Sequence, residues 1–283
     1  MKTLKTKEGL CFLGKTLELE YGDLLMSVTI DVGPRIISFS RRLGQNIMFN
    51  DVEDEVSKDV SKYFGEGNVW HLYGGHRIWA SPEMETTYIP DNDPVKYEIK
   101  GNSVELFPVT WPKVGLKPFM KISFLAENKV SVSMSLTNTG NSKRIALWAL
   151  TVLKPGGKME AYLPKTDTGY LPNRNLVMWP YASITDKRFS FSDDKLTVQS
   201  NVKASSPFKV GFYTDKGKIS YTLGKELFTK TFEIKAGEYP DMNCNVETYT
   251  SHLIHEVETL SPLVSLAKGD SILHEEIWTL EKA

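Results

Sequence analysis

Two neighbouring runs, K-I-S-F-L at 121–125 and V-S-V-S-M-S-L at 130–136, alternate apolar and polar side chains with a period of two. On an extended backbone that period puts every second side chain on one face, so each run reads as a strand with one side in a core. The same rhythm recurs at Leu24–Ile30, Val104–Pro108, Lys195–Val198, Lys209–Tyr213, Ile219–Leu223 and Ile272–Leu280. Turn chemistry separates the runs: Gly-Asn at 101–102, Asn-Thr-Gly-Asn at 138–141, Asp-Lys-Gly-Lys at 215–218 and Ala-Lys-Gly-Asp at 267–270. Helical periodicity is scarce, and the acidic stretch Asp51–Lys62 suits a short helix and a solvated excursion equally. The expectation is an all-β fold of antiparallel sheets, a sandwich or barrel with few short helices. No linker, composition break or repeat marks a boundary, so residues 1–283 are expected to form a single domain.

Composition narrows the function classes. Lysine plus arginine number 34 against 35 aspartates plus glutamates, a net charge of −1. So balanced a chain offers no sustained positive field for a phosphate backbone or an anionic membrane; neither nucleic acid nor membrane is an expected partner. Hydrophobic residues make up 41% of the chain, enough for a core without staples. Cys11 and Cys244 are the only cysteines, too few for a disulfide framework or a cysteine-built zinc site, although one bridge between them stays open. No apolar run approaches the ~20 residues that cross a bilayer, and the basic N-terminus leads into no signal-type apolar stretch. A cytoplasmic location is the expectation.

Chemistry concentrates in three segments. In W-H-L-Y-G-G-H-R-I-W-A-S-P-E-M-E-T-T-Y-I-P-D-N-D-P-V at 70–95, Gly74 and Gly75 allow a tight turn or close approach and deliver His76, Arg77 and Trp79 directly after it. Flat aromatic platforms such as Trp79 and Tyr88, with Arg, Asp and Asn to reach hydroxyls, are what a sugar cleft needs; core packing of the same aromatics is the competing reading. Asp91-Asn-Asp-Pro suits a Pro-flanked turn better than a calcium loop, whose longer spacing it lacks. In L-W-A-L-T-V-L-K-P at 147–155 an apolar strand ends on Lys154, which points either into a cleft or to solvent. In the third segment, 239–258, Glu247 sits in a β-like run, where a rigidly held carboxylate suits general-base work or acts as a structural acceptor for Arg77 or Lys209. His252, His255 and Glu256 match no metal spacing and read as solvated loop residues. Nothing calls for a metal or a cofactor, and the phosphate-loop, dinucleotide and serine-elbow signatures are absent.

Taken in order, G-P-R-I at 33–36, G-G-H-R-I-W-A-S-P-E at 74–83, Y-I-P-D-N-D-P-V at 88–95, L-W-A-L-T-V-L-K-P-G-G at 147–157, W-P-Y at 179–181, F-K-V-G at 208–211, Y-P-D at 239–241 and E-T-L-S-P-L at 258–263 resemble an uncharacterised bacterial family with the galactose mutarotase-like fold. The resemblance implies a large β-supersandwich that binds carbohydrate on a concave face. N-V-E-T-Y-T at 245–250 with P-L-V-S-L-A-K-G-D at 262–270 is similar to aldose 1-epimerases. By that similarity Glu247 would take the anomeric O1 proton. The partner acid at the ring oxygen is usually a histidine after an Asn-Thr strand pair, yet Trp148 to Thr151 fill that region here. Either His76 or Lys154 supplies the proton, or the site has kept binding and given up the reaction.

The first expectation is therefore an aldose 1-epimerase-type isomerase acting on a monosaccharide or acidic sugar, with Glu247 as base and His76 as acid. Arg77, Lys154 and Lys209 would orient hydroxyls or an acidic group, and these cations slightly favour an anionic ligand. Trp79, Tyr88, Asp91 and Asp241 complete the candidate substrate-binding set. A non-catalytic sugar-binding or sensing protein and a lyase acting on uronates are the alternatives.

Overall fold

The computed structural model describes residues 2–283. Two large antiparallel sheets, of eleven and ten strands, face each other across a shared hydrophobic core. The strands read from 121–125 and 130–136 are parts of Leu116–Ala126 and Lys129–Asn138, paired with Ile122 opposite Val132 and Met120 opposite Met134. Their apolar positions, Met120, Ile122, Val132 and Met134, are fully buried, as the period-two pattern requires. Beside them lies the last strand, Ser271–Lys282, whose Trp278 fills the centre of the core against Phe39 and Phe228. The other strands expected from alternation form too, each within a few residues of its expected limits.

The eleven-stranded sheet behaves differently because both of its faces are covered. Along Lys143–Leu153, Leu147, Ala149 and Leu153 enter the inter-sheet core while Trp148, Leu150 and Val152 join a second cluster on the opposite face. A strand buried on both sides reads as one apolar run, which is why I-A-L-W-A-L-T-V-L shows no alternation. The second cluster is closed by Val60, Trp70, Leu72 and Ile254 from connecting segments.

Among the described residues, regular helix is confined to one four-residue turn, Ser61–Phe64, and a 3-10 turn at Glu85–Thr87; Pro240–Asn243 closes a turn on left-handed backbone at Asp241 and Met242. Asp51–Lys62 is thus mostly non-helical: Ser57–Asp59 is a strand paired with Val69–His71, and helix begins only at Ser61. Cys11 and Cys244 are free thiols, so the bridge left open by the sequence does not form. No helix among the described residues is long and apolar enough to cross a membrane.

Gly74 and Gly75 act as expected. Both have positive φ, and a Cβ at either would stand 2.2 Å from the Phe49 carbonyl oxygen or 2.3 Å from that of Ile36. No side chain fits there, and the close approach starts the Gly75–Ser81 strand in register with Lys143–Leu153.

Candidate functional site

Five consecutive strands of the eleven-stranded sheet present a coherent set of side chains on the face turned away from the second sheet: Gly75–Ser81, Lys143–Leu153, His255–Leu260, Val246–Thr250 and Phe208–Phe212. Register decides which groups meet. Trp79 lies opposite Trp148, Glu247 opposite Glu258, and Tyr249 opposite both Glu256 and Lys209. Above these strands opens a cleft of about 520 Å³. Its walls are aromatic: Trp70, Trp79, Tyr88 and Trp148 form a contiguous series with ring centroids 5.1–5.7 Å apart, and Trp179 and the Tyr181–Tyr249 pair complete the lining.

The floor carries charge. Glu247 and Glu258 are directly opposed and fully buried, an arrangement that two carboxylates side by side would make costly. Lys209 answers it: its Nζ lies 2.7 Å from Glu247 Oε2 and 3.6 Å from Glu258 Oε2, and 4.7 and 4.4 Å from the centres of the Trp148 and Trp179 rings. Trp148 Nε1 donates to Glu258 Oε2 at 2.8 Å. Burial works against the Lys209 charge, but Glu258, Glu247 and Glu256 outweigh it and raise the pKa, so the ammonium persists. All three carboxyls are pushed up, first by burial and then by neighbouring carboxylates, Glu258 acting on Glu247 and Glu256 and Glu83 on Glu258, with Lys209 pulling the other way. One ammonium cannot balance three carboxylates, so at least one carries its proton at neutral pH. Glu256, which lines the cleft, is pushed up to about 8.

Not every residue expected at the site is there. Trp79, Tyr88 and Lys209 line the cleft, and Glu247 lies behind Lys209, out of solvent. His76 is displaced from its expected role by the strand alternation that brings Arg77 to the cleft side. Its ring points into the inter-sheet core, with Nδ1 2.8 Å from Thr151 Oγ1 and its edge against Trp278, and burial pulls its pKa down to about 3. An imidazole that is uncharged at neutral pH and reaches no cleft cannot be the acid. Arg77 is 1% exposed, with its guanidinium carbon 4.4 Å from the Trp79 ring centre and 5.5 Å from that of Trp70. It supports the aromatic wall, and its Nε and Nη1 have no partner. Asp91 is a structural acceptor, taking hydrogen bonds from Arg35 Nη1 at 2.7 Å and Trp111 Nε1 at 3.2 Å. Lys154 is half-buried outside the cleft lining, and its carbonyl accepts the Tyr221 hydroxyl. Asp241 sits in a left-handed turn, φ 50°, also outside the lining, although close enough to help raise the Glu247 pKa.

Sequence reasoning missed Glu256 and Glu258, reading the segment around His255 as loop. It is the strand His255–Leu260, in which His255 turns inward to Ser200 and Thr248 while the two glutamates face the cleft side. The available signal was E-V-E, two carboxylates at strand spacing around an apolar residue. Tyr249 follows Glu247 by two residues in the same β-like run, whereas Trp179 and Tyr181 carried no period that could have placed them.

Neither a protein-family model nor a curated protein matches this sequence. Solved structures do. A candidate mutarotase from Salmonella typhimurium is similar over 95% of this chain and 91% of its own, with TM-score 0.60 and 8% identity. A candidate aldose 1-epimerase from Escherichia coli K12 is similar over 93% of this chain and 97% of its own, with TM-score 0.53 and 13% identity. This is the galactose mutarotase-like fold. A TPR-domain containing protein from Parabacteroides distasonis is also similar over 94% of this chain, with TM-score 0.61 and 12% identity; the chain spans about half, 47%, of that protein. At such identities the likeness is one of fold, so the reading of the mutarotase-like cleft rests on its own residues.

Proposed function

We propose that the protein binds a carbohydrate, a monosaccharide or its derivative, in the aromatic cleft of its mutarotase-like fold. The carrying observation is the cleft itself: aromatic walls around about 520 Å³, with Glu256 and Lys209 at the floor. Indole and phenol faces stack on the apolar faces of sugar rings, and a few fixed polar groups select hydroxyls. The sequence left two ways to supply a ring-oxygen acid from the expected residues, and both His76 and Lys154 lie outside the cleft; binding therefore ranks ahead of turnover. Titrating a panel of aldoses, uronic acids, amino sugars and sugar phosphates while following tryptophan fluorescence tests this. Saturable quenching or enhancement that Trp179→Ala weakens supports it, and a flat response to every sugar refutes it.

One observation favours a second reading, the aldose 1-epimerase-type isomerase. Glu256 opens on the cleft and, with its pKa near 8, holds a proton at neutral pH. In this reading Glu256 delivers its proton to O5 as the ring C1–O5 bond breaks, solvent water in the open cleft takes the O1 proton, and the two transfers reverse on ring closure; Glu247 and Glu258 act only through Lys209 and the pKa of Glu256. Two-dimensional exchange NMR distinguishes the readings: protein-dependent α/β exchange peaks that Glu256→Gln abolishes support isomerisation, whereas binding without exchange leaves a non-catalytic site.

A further inference from the structure

We propose that the ligand of this cleft carries a protonated amine, making it an amino sugar rather than a uronate or a sugar phosphate. The inference rests on the carbohydrate reading above and narrows its ligand class. It reverses the slight preference for an anion that Arg77, Lys154 and Lys209 suggested in the sequence.

The argument is a charge count over the groups that line the cleft. Two cations face it, and each already has a carboxylate: Lys209 beside Glu247 at 2.7 Å, and Lys58 beside Glu85 at 2.9 Å. Two carboxylates face it, and among the described residues neither has a cation: Glu256 makes no side-chain hydrogen bond or ion pair, and Glu83 only accepts the Tyr88 hydroxyl. Behind them Glu258 adds further negative charge, sharing the one ammonium with Glu247, and Arg77, buried against Trp79 without a carboxylate of its own, offsets part of it. With Arg77 counted and the Glu256 proton in place, the carboxylates in and behind the cleft still outnumber the cations four to three, so an incoming carboxylate or phosphate would meet net repulsion, and an ammonium would find its partner in Glu256.

The walls suit a cation as well as a sugar face. Aromatic rings attract ammonium groups through their negative faces, the more so the less water reaches them. The cleft already does this with its own lysines, Lys58 Nζ lying 3.9 Å from the Tyr88 ring centre and Lys209 Nζ within 5 Å of two indoles.

Protonation gives an independent readout. Burial, Glu258 and Glu83 hold the Glu256 carboxyl up near 8 against the pull of Lys209 and Arg77, and Tyr249, Tyr88 and Tyr181 are the other ionisable groups around the cleft. An ammonium docked on Glu256 reverses that balance, so its binding at neutral pH expels a proton.

Isothermal titration at pH 6.5 in two buffers of different ionisation enthalpy tests the proposal with glucosamine, galactosamine, their parent hexoses, the N-acetyl derivatives and the corresponding uronates. At least one amino sugar is expected to bind roughly tenfold or more tighter than its parent and its N-acetyl form, with a proton released. That ratio falls toward one in Glu256→Gln and shrinks in Glu83→Gln, a change at an exposed residue that leaves the fold intact. Uronates binding tighter than hexoses, or a preference for the amine that survives Glu256→Gln, overturns the amino-sugar inference while leaving the carbohydrate reading in place. Failure of every sugar to bind removes both.

Discussion

Replacing Lys209 by Met tests the electrostatic design of the cleft floor. The change keeps the length and apolar stem of the side chain and removes an ammonium 2.7 Å from Glu247 and 3.6 Å from Glu258, both fully buried. Removing one partner of a buried ion pair typically costs about 3–5 kcal/mol, a large part of the ~5–15 kcal/mol that holds a domain together. For a chain of this size that corresponds to a fall in Tm of roughly 6–20 °C. The loss carries a signature in pH. Without Lys209 the opposed carboxyls rise further in the folded state, so the fold binds more protons than the unfolded chain, and stability drops as pH climbs. Below about pH 4.3, the ordinary value for glutamate, both states are protonated and the penalty disappears. Urea unfolding of K209M between pH 4 and 8 measures this, and the double variant K209M/E247Q should recover half or more of the loss at pH 7.5. A deficit under about 1 kcal/mol at pH 7.5 would refute the account, since it leaves no uncompensated buried charge. A deficit independent of pH would instead assign Lys209 a packing role against Trp148 and Trp179.

Three further outcomes follow from the same geometry. Trp179→Ala removes a half-buried wall of the cleft and should weaken sugar binding about tenfold, the scale of one lost stacking contact, with little change in the far-ultraviolet circular dichroism. Gly75→Ala forces a Cβ to within 2.3 Å of the Ile36 carbonyl oxygen at φ +68°; thermal unfolding should show a loss of at least about 2 kcal/mol, and a neutral substitution would contradict the packing described. Stability against pH should pass through a maximum near the ordinary histidine value of about 6.5. Burial holds His76, His255 and His274 neutral with pKa values of about 3, 3 and 4, so the stability they contribute is lost as pH falls below that value; Glu256, raised to about 8, withdraws stability as pH rises toward it. Urea midpoints rising steadily to pH 9 would exclude this balance.

Much of the fold lay in local pattern. Runs such as V-S-V-S-M-S-L can satisfy their backbone and bury one face in only one way, so the strands, the turns between them and the all-β class follow from period and turn chemistry. The paired glycines at 74–75 announce a close backbone contact for the same reason: no other residue fits. Aromatic density with polar groups around Trp79, Tyr88 and Lys209 marked one wall of the cleft and its cation.

Facing direction and cross-strand partnership were not local. His76 and Arg77 are adjacent in sequence and point to opposite sides of the sheet, and only the register against Lys143–Leu153 determines that the arginine takes the cleft side and the histidine the core. Glu247 and Glu258 stand eleven residues apart and became a charge pair because Val246–Thr250 folds back on His255–Leu260. Lys209 comes from a third strand, brought within reach by the pairing of Gly211 with Glu247. The sequence by itself determined which residue types could line a sugar cleft. Which of them meet, and hence which carboxyl keeps its proton, was decided by long-range strand pairing, because pKa and charge balance depend on neighbours a few ångströms away whose positions no single segment encodes.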